Sequence, residues 1–233
     1  MAEKIPLVLL PGLLCDAALW AEQVAALSDI TEPWVADLTR DESLASMAQR
    51  VLTAAPERFA LAGLSMGGYL AQEIMRQSPR RVTRLALLDT SARADTPERA
   101  AQRRGFIELA HKGEFKGIQP RMLPVYLHPD HLQDKGLTDA VLGMAERVGK
   151  DAFLRQQQAI MNRPDGREDL KRIAVPTLVL CGRQDQATPY ELNAEIARLI
   201  PGAVFVALER CGHLSTMEKP AEVSAAMRHW LTA

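Results

Sequence analysis

Ser65 stands between Gly63 and Gly67 in the run FALAGLSMGGYLAQE, where an apolar stretch ends and an amphipathic one begins. A serine hydroxyl is a poor nucleophile at neutral pH. To react it needs a base within hydrogen-bond reach, a third group that orients the base, and N–H donors for the oxyanion that forms. For the base, His213 follows directly on the strand-like run AVFVALE, with Gly212 before it to let the loop turn. For the orienting acid, Asp185 in PTLVLCGRQDQATP follows another such run, where a carboxylate fixes the imidazole tautomer and stabilises the imidazolium. Asp89 in LALLDTSAR also ends a strand-like run and competes for that role; its other reading is a carboxylate that anchors its own loop. His111, His128, His131 and His229 read as surface or core-edge residues.

Two backbone donors complete the set. The N–H of Met66 lies at a helix start, where amides point outward and the helix dipole favours negative charge. The second is expected from Leu13, in the loop LLPGLLCDAALW, where Gly12 allows a tight backbone. A Gly-x-Ser-x-Gly motif alone is a weak signal, and its specificity comes from lying between a strand and a helix.

The elements that must position these residues alternate from the start of the chain. The runs PLVLL, PWVAD, FALAGL, RLALLD, PTLVLCG and AVFVALE read as strands, separated by helical patterns such as SLASMAQRVLTAA and ELNAEIARLI. That order implies βαβ units and a mostly parallel sheet with helices on both faces. The strands are nearly continuous in Val, Leu and Ala, as expected when both faces are covered. From 94 to 166 the pattern is helical only, with breaks at Gly113, Pro120, Pro124, Pro129 and Gly136. The division expected is therefore a core of 1–93 and 167–233, with a helical lid at 94–166 over the carboxyl ends of the strands, where open α/β sheets bind ligands. Met122, Val125, Tyr126 and Leu127 of that segment, with Leu214 beside the histidine, are expected to wall an apolar substrate pocket.

Composition sets the outer bounds. The chain has 233 residues, 47% hydrophobic and 24% charged, with a formal net charge of -1. That is a globular composition with scattered arginines, and it argues against a nucleic-acid partner. Three cysteines, Cys15, Cys181 and Cys211, are too few and too far apart for a disulfide framework or a zinc site, and a reduced cytoplasm fits them. Lys4 followed by IPLVLLPGLLC imitates a lipoprotein export signal, but Pro6, Pro11 and Gly12 break the apolar helix it would need, and Leu14 is too bulky before the cysteine. No run is long enough to span a bilayer. A monomer or homodimer without a membrane partner is expected.

Taken together, the Pro11-Gly12 loop, the elbow GLSMGG, the acid loop GRQDQATP and the histidine loop CGHLSTMEKP with its final helix ending HWL resemble the α/β-hydrolase fold superfamily. The similarity is to the small capped bacterial serine carboxylesterases of the pimeloyl-ACP methyl ester carboxylesterase-like group. The order Ser65, Asp185, His213 matches that of α/β-hydrolase triads. The resemblance implies hydrolysis of small carboxylic esters with short to medium apolar acyl or alcohol groups, through an acyl-enzyme, without cofactor or metal. Two departures concern pocket shape: Pro11 stands where many relatives carry histidine, and ADLTRDES lacks a glycine-rich form common in the superfamily. Serine at the elbow argues against relatives that attack with aspartate or cysteine. The alternatives are a carbon-carbon bond hydrolase or a menaquinone-pathway-like lyase on an anionic substrate, which convergent arginines facing Ser65 would support, Arg93, Arg121 and Arg163 lying in or next to the lid, and a ligand receptor.

Overall fold

The apolar runs become strands Ile5–Leu10 (β1), Thr31–Val35 (β2), Phe59–Leu64 (β3), Val82–Leu88 (β4), Thr177–Gly182 (β5) and Val204–Leu208 (β6) in the computed structural model, which describes residues 4–233. They form one sheet in the order β2-β1-β3-β4-β5-β6, and every pairing among the described residues is parallel. β3 and β5 are buried at every position, which explains why their sequences show no polar alternation. β2 lies at an edge and carries Pro33, a residue that a central strand could not hold without losing a ladder bond.

The helices are Ala21–Leu27 (α1), Leu44–Ala54 (α2), Met66–Gln77 (α3), Pro97–Leu109 (α4), Leu123–Tyr126 (α5), Lys135–Met161 (α6), Arg167–Leu170 (α7), Tyr190–Leu199 (α8), Ser215–Glu218 (α9) and Pro220–Thr232 (α10). Successive strand residues feed opposite faces of the sheet. Leu7 and Leu9 pack with Trp20, Leu27, Val223 and Met227 on the side of α1 and α10. Val8 and Leu10 pack with Met47, Val51, Leu70 and Ile196 on the side of α2, α3 and α8.

The segment between β4 and β5 holds helices α4 to α7. Thr96 caps α4 by accepting from Arg99 N, with Pro97 in the first turn where its missing N–H costs nothing. Asp134 caps α6 at Leu137 N, so Gly136, expected as a break, lies inside the first turn. The break falls instead at Gly149, whose φ of 75° interrupts α6. Gln156 ties this helix to the loops that follow β1 and β2. Its amide donates to Leu38 O at 3.1 Å and its Oε1 accepts from Leu14 N at 3.0 Å. No helix among the described residues is long and apolar enough to cross a membrane.

Candidate active site

Ser65 is held at φ 57° and ψ −113°, between the end of β3 and the first turn of α3. A side chain rarely occupies that region, and the surrounding packing enforces it. A Cβ on Gly63 would collide with Gly67 O, and one on Gly67 would collide with Leu10 O. Strand and helix are therefore closer than any side chain permits, and the turn that joins them is sharp. The Ser65 N–H donates to Leu88 O at 3.0 Å, which pins the turn to the neighbouring strand.

The imidazole of His213 reaches this serine from the loop after β6. Its Nε2 lies 2.9 Å from Ser65 Oγ, and its Nδ1 lies 2.8 Å from Asp185 Oδ2. Asp185 is itself oriented: its Oδ1 accepts from Ala187 N at 2.8 Å and Thr188 N at 2.9 Å, and its Oδ2 accepts from Thr188 Oγ1 at 2.7 Å. A carboxylate with those donors in place leaves one favourable arrangement for the ring, with the proton on Nδ1 and the lone pair of Nε2 towards the serine. Burial of His213 disfavours the imidazolium, but the charge and hydrogen bond of Asp185 outweigh it, and the pKa is raised above the ordinary histidine value.

Asp89 lies elsewhere in the same region. Its Oδ1 accepts from Gly182 N at 2.8 Å and its Oδ2 accepts from Ser215 Oγ, so it joins the ends of β4 and β5 to the start of α9 and makes no hydrogen bond to His213. Burial, followed by the negative charge of Asp185, raises its pKa well above the usual carboxylate range. It is the loop anchor of the two alternatives.

Leu13 N and Met66 N donate to no protein acceptor among the described residues. The tight conformation of the first loop falls on Leu14, at φ 58°, and not on Gly12, because Cys15 N turns back to Gly12 O at 3.1 Å. The Leu14 N–H is taken by Gln156. Gly212 likewise has an ordinary φ, and its small size serves close approach: a Cβ there would lie 2.8 Å from His128 N. Glu218 stitches the same contact by accepting from Gly212 N at 2.9 Å and His128 N at 2.7 Å, while His213 N donates to Tyr126 O at 2.8 Å.

A cavity of about 660 Å³, counting its mouth, opens at Ser65 and His213. Leu13, Ile118, Ile160, Leu214 and Tyr126 supply apolar wall, and Arg99 and Arg103 of α4 bring two guanidinium groups to it. Of the pocket residues expected from sequence, Tyr126 and Leu214 line this space and Met122, Val125 and Leu127 do not. Val125 is 42% exposed, whereas Leu127 is buried in the core beneath and Met122 packs against it. Val125 and Tyr126 are adjacent in α5, and adjacent residues of a helical turn point about 100° apart, so the two cannot face the same way.

The arginines differ too. Arg93 pairs with Glu195 at 2.8 Å, Arg121 is exposed away from the cavity, and Arg163 is buried against Asp95 at 2.8 Å with Tyr69 under its guanidinium at 4.3 Å. None of the three lines the cavity. Sequence reading does not single out Arg99, Thr188, Gln156 and Glu218, and it reads Arg103 with Arg104 as a solvated face, whereas the Arg103 side chain is largely buried and paired with Asp95. The i, i+4 spacing of Arg99 and Arg103 on a helix was the one available signal for any of them.

Cys15 also lines the cavity, but burial, with Asp16 nearby, pushes its thiol up to about 12, so no thiolate competes with the serine at neutral pH.

The profile of the alpha/beta hydrolase family matches residues 7–226. The chain is 26% identical to a pimeloyl-[acyl-carrier protein] methyl ester esterase of Vibrio campbellii, over 91% of this chain and 88% of that protein. Among solved structures, a thermophilic esterase from Thermogutta terrifontis superposes with a TM-score of 0.87 at 28% identity, covering 99% of this chain and 90% of that one. The enol-lactonase from Burkholderia xenovorans superposes with a TM-score of 0.89 at 25% identity, covering 100% and 93%.

Proposed function

The chain belongs to the alpha/beta hydrolase family, and from that premise we propose that it hydrolyses a small carboxylic ester through an acyl-enzyme on Ser65. The observation that carries this reading is the unbroken sequence of contacts from Ser65 Oγ through His213 to Asp185, at 2.9 Å and 2.8 Å. His213 Nε2 removes the hydroxyl proton as Ser65 Oγ bonds to the ester carbonyl carbon, and Asp185 stabilises the imidazolium. The N–H groups of Leu13 and Met66 receive the oxyanion. As the tetrahedral species collapses, His213 returns the proton to the leaving alcohol. Water, activated by the same base, then releases the acid and restores the serine.

Relatives named as an esterase of a methyl ester and as an enol-lactonase support an ester as the bond cleaved. We assign the segment at 94–166 the role of a lid, since Arg99, Arg103, Ile118, Tyr126 and Ile160 all contribute to the cavity wall. The buried, unpaired cysteines favour a reducing compartment, in keeping with a cytoplasmic enzyme. One observation favours a second reading: the two arginines at the cavity also suit a carbon-carbon bond hydrolase or a lyase acting on an anionic substrate.

Initial rates on p-nitrophenyl esters from acetate to laurate separate the two. Rapid turnover of short to medium acyl groups, reduced by about three or more orders of magnitude in both Ser65→Ala and His213→Ala, is expected for the ester reading. Equally slow turnover by wild type and variants on every ester overturns it and moves the second reading ahead.

A further inference from the structure

Arg99 and Arg103 are one helical turn apart on α4, and both line the cavity that holds Ser65. Their charge states of pairing differ. Arg103 Nε donates to Asp95 Oδ2 at 2.6 Å, and its Nη1 donates to Gln157 Oε1 at 2.7 Å. Asp95 also holds Arg163 at 2.8 Å, and although its burial works the other way, these two guanidinium groups keep its carboxyl below the usual range. One carboxylate is thus shared by two arginines. Arg99 has no carboxylate within 4.0 Å among the described residues. Among the described residues one of its five N–H donors is engaged, from Nη2 to Ala187 O at 3.0 Å. Of the two arginines that line the cavity, only Arg103 is thus paired with a carboxylate among the described residues.

A half-buried guanidinium beside apolar wall loses hydration and gains most from an anion that restores its hydrogen bonds. Its planar fork matches a carboxylate in particular. We infer that the ester taken by this enzyme carries a carboxylate in addition to the bond cleaved, and that Arg99 binds it with Arg103 alongside. The inference rests on the hydrolase reading above and narrows its substrate to anionic esters, such as half esters of short dicarboxylic acids. The products of such a half ester are the dicarboxylate and the alcohol, and the dicarboxylate keeps an affinity for the same arginines.

The test compares p-nitrophenyl hydrogen glutarate with p-nitrophenyl methyl glutarate, which share acyl chain and leaving group and differ in one negative charge. Wild type is expected to favour the free carboxylate in kcat/KM by roughly ten- to a hundredfold, mostly through KM, and by less in high salt. In Arg99→Gln that ratio is expected to fall to near one, and Arg99→Lys, which keeps the charge without the fork, to recover part of it. A merely structural role for Arg99 would depress both esters alike and leave the ratio intact. Turnover of both esters with no preference in wild type, or a preference that Arg99→Gln leaves unchanged, overturns the inference while the esterase reading stands. If neither ester is turned over, the esterase reading fails, and calorimetric titration of glutarate into Ser65→Ala decides the subsite by itself. Binding lost on adding Arg99→Gln supports it, and no binding with Arg99 present overturns it.

Discussion

Asp185→Asn isolates the orienting acid with little change of shape. In the parent, Oδ1 accepts from the backbone N–H groups of Ala187 and Thr188, whereas Oδ2 faces Thr188 Oγ1 and His213 Nδ1. Two fixed backbone donors demand an acceptor, so the asparagine must keep its oxygen at the Oδ1 position and turn its NH2 towards the imidazole. Nδ1 then becomes the acceptor and the ring proton moves to Nε2. At 2.9 Å from Ser65 Oγ, a protonated Nε2 cannot take the hydroxyl proton. The loss expected is about 10³- to 10⁴-fold in kcat, the size seen when a serine protease triad is given the wrong tautomer, or about 4–5.5 kcal/mol of barrier. Thr188 Oγ can reverse its role and accept from the amide, so the fold survives. The pH profile moves as well. The base acts when neutral, so kcat/KM rises with pH through the pKa of His213, and in the parent Asp185 holds that pKa above the ordinary value. Without the charge the burial penalty remains, and the acid limb shifts to lower pH. The assay is kcat and kcat/KM for p-nitrophenyl butyrate from pH 5 to 9, with circular dichroism as the check of folding. A loss below tenfold in a folded variant, or an acid limb that does not move, would refute the tautomer argument.

Four further substitutions probe the scaffold and the cavity wall. Gly67→Ala places a Cβ against Leu10 O, so α3 must retreat from β1; unfolding free energy is expected to fall by about 1–3 kcal/mol, read as a lower Tm. Gln156→Leu leaves Leu14 N and Leu38 O without their partner in the interior, with an expected cost of about 2 kcal/mol or more in denaturant unfolding and a fall in kcat as the Leu13 loop loosens. Val125→Ala, at an exposed position, is expected to change kcat/KM less than about twofold, whereas Tyr126→Ala enlarges the cavity and shifts the preferred acyl length upward; equal effects of the two would show that the wall is misassigned.

The order of strands and helices, and with it the fold class, was legible because a parallel sheet covered on both faces demands apolar runs such as FALAGL and PTLVLCG. Ser65, Asp185 and His213 could be singled out for a related reason: each lies within a few residues of a strand's carboxyl end, where the backbone alone brings them to one edge. Local chemistry also marked the elbow, since Gly63 and Gly67 are needed wherever strand and helix approach so closely. What the tertiary structure alone decided is which side chains of the helical segment look inward. Nothing in LPVY separates Tyr126 from its neighbour Val125, because a turn of helix has no face until it is docked. Arg99 and Arg103 read as part of a polar helix until α4 is docked, where one meets Ala187 O of the acid loop and the other Gln157 of α6. Gln156 and Glu218 are polar residues in ordinary patterns whose partners lie 142 and 90 residues away in the chain. Contacts of that range depend on docking geometry, which no local spacing encodes.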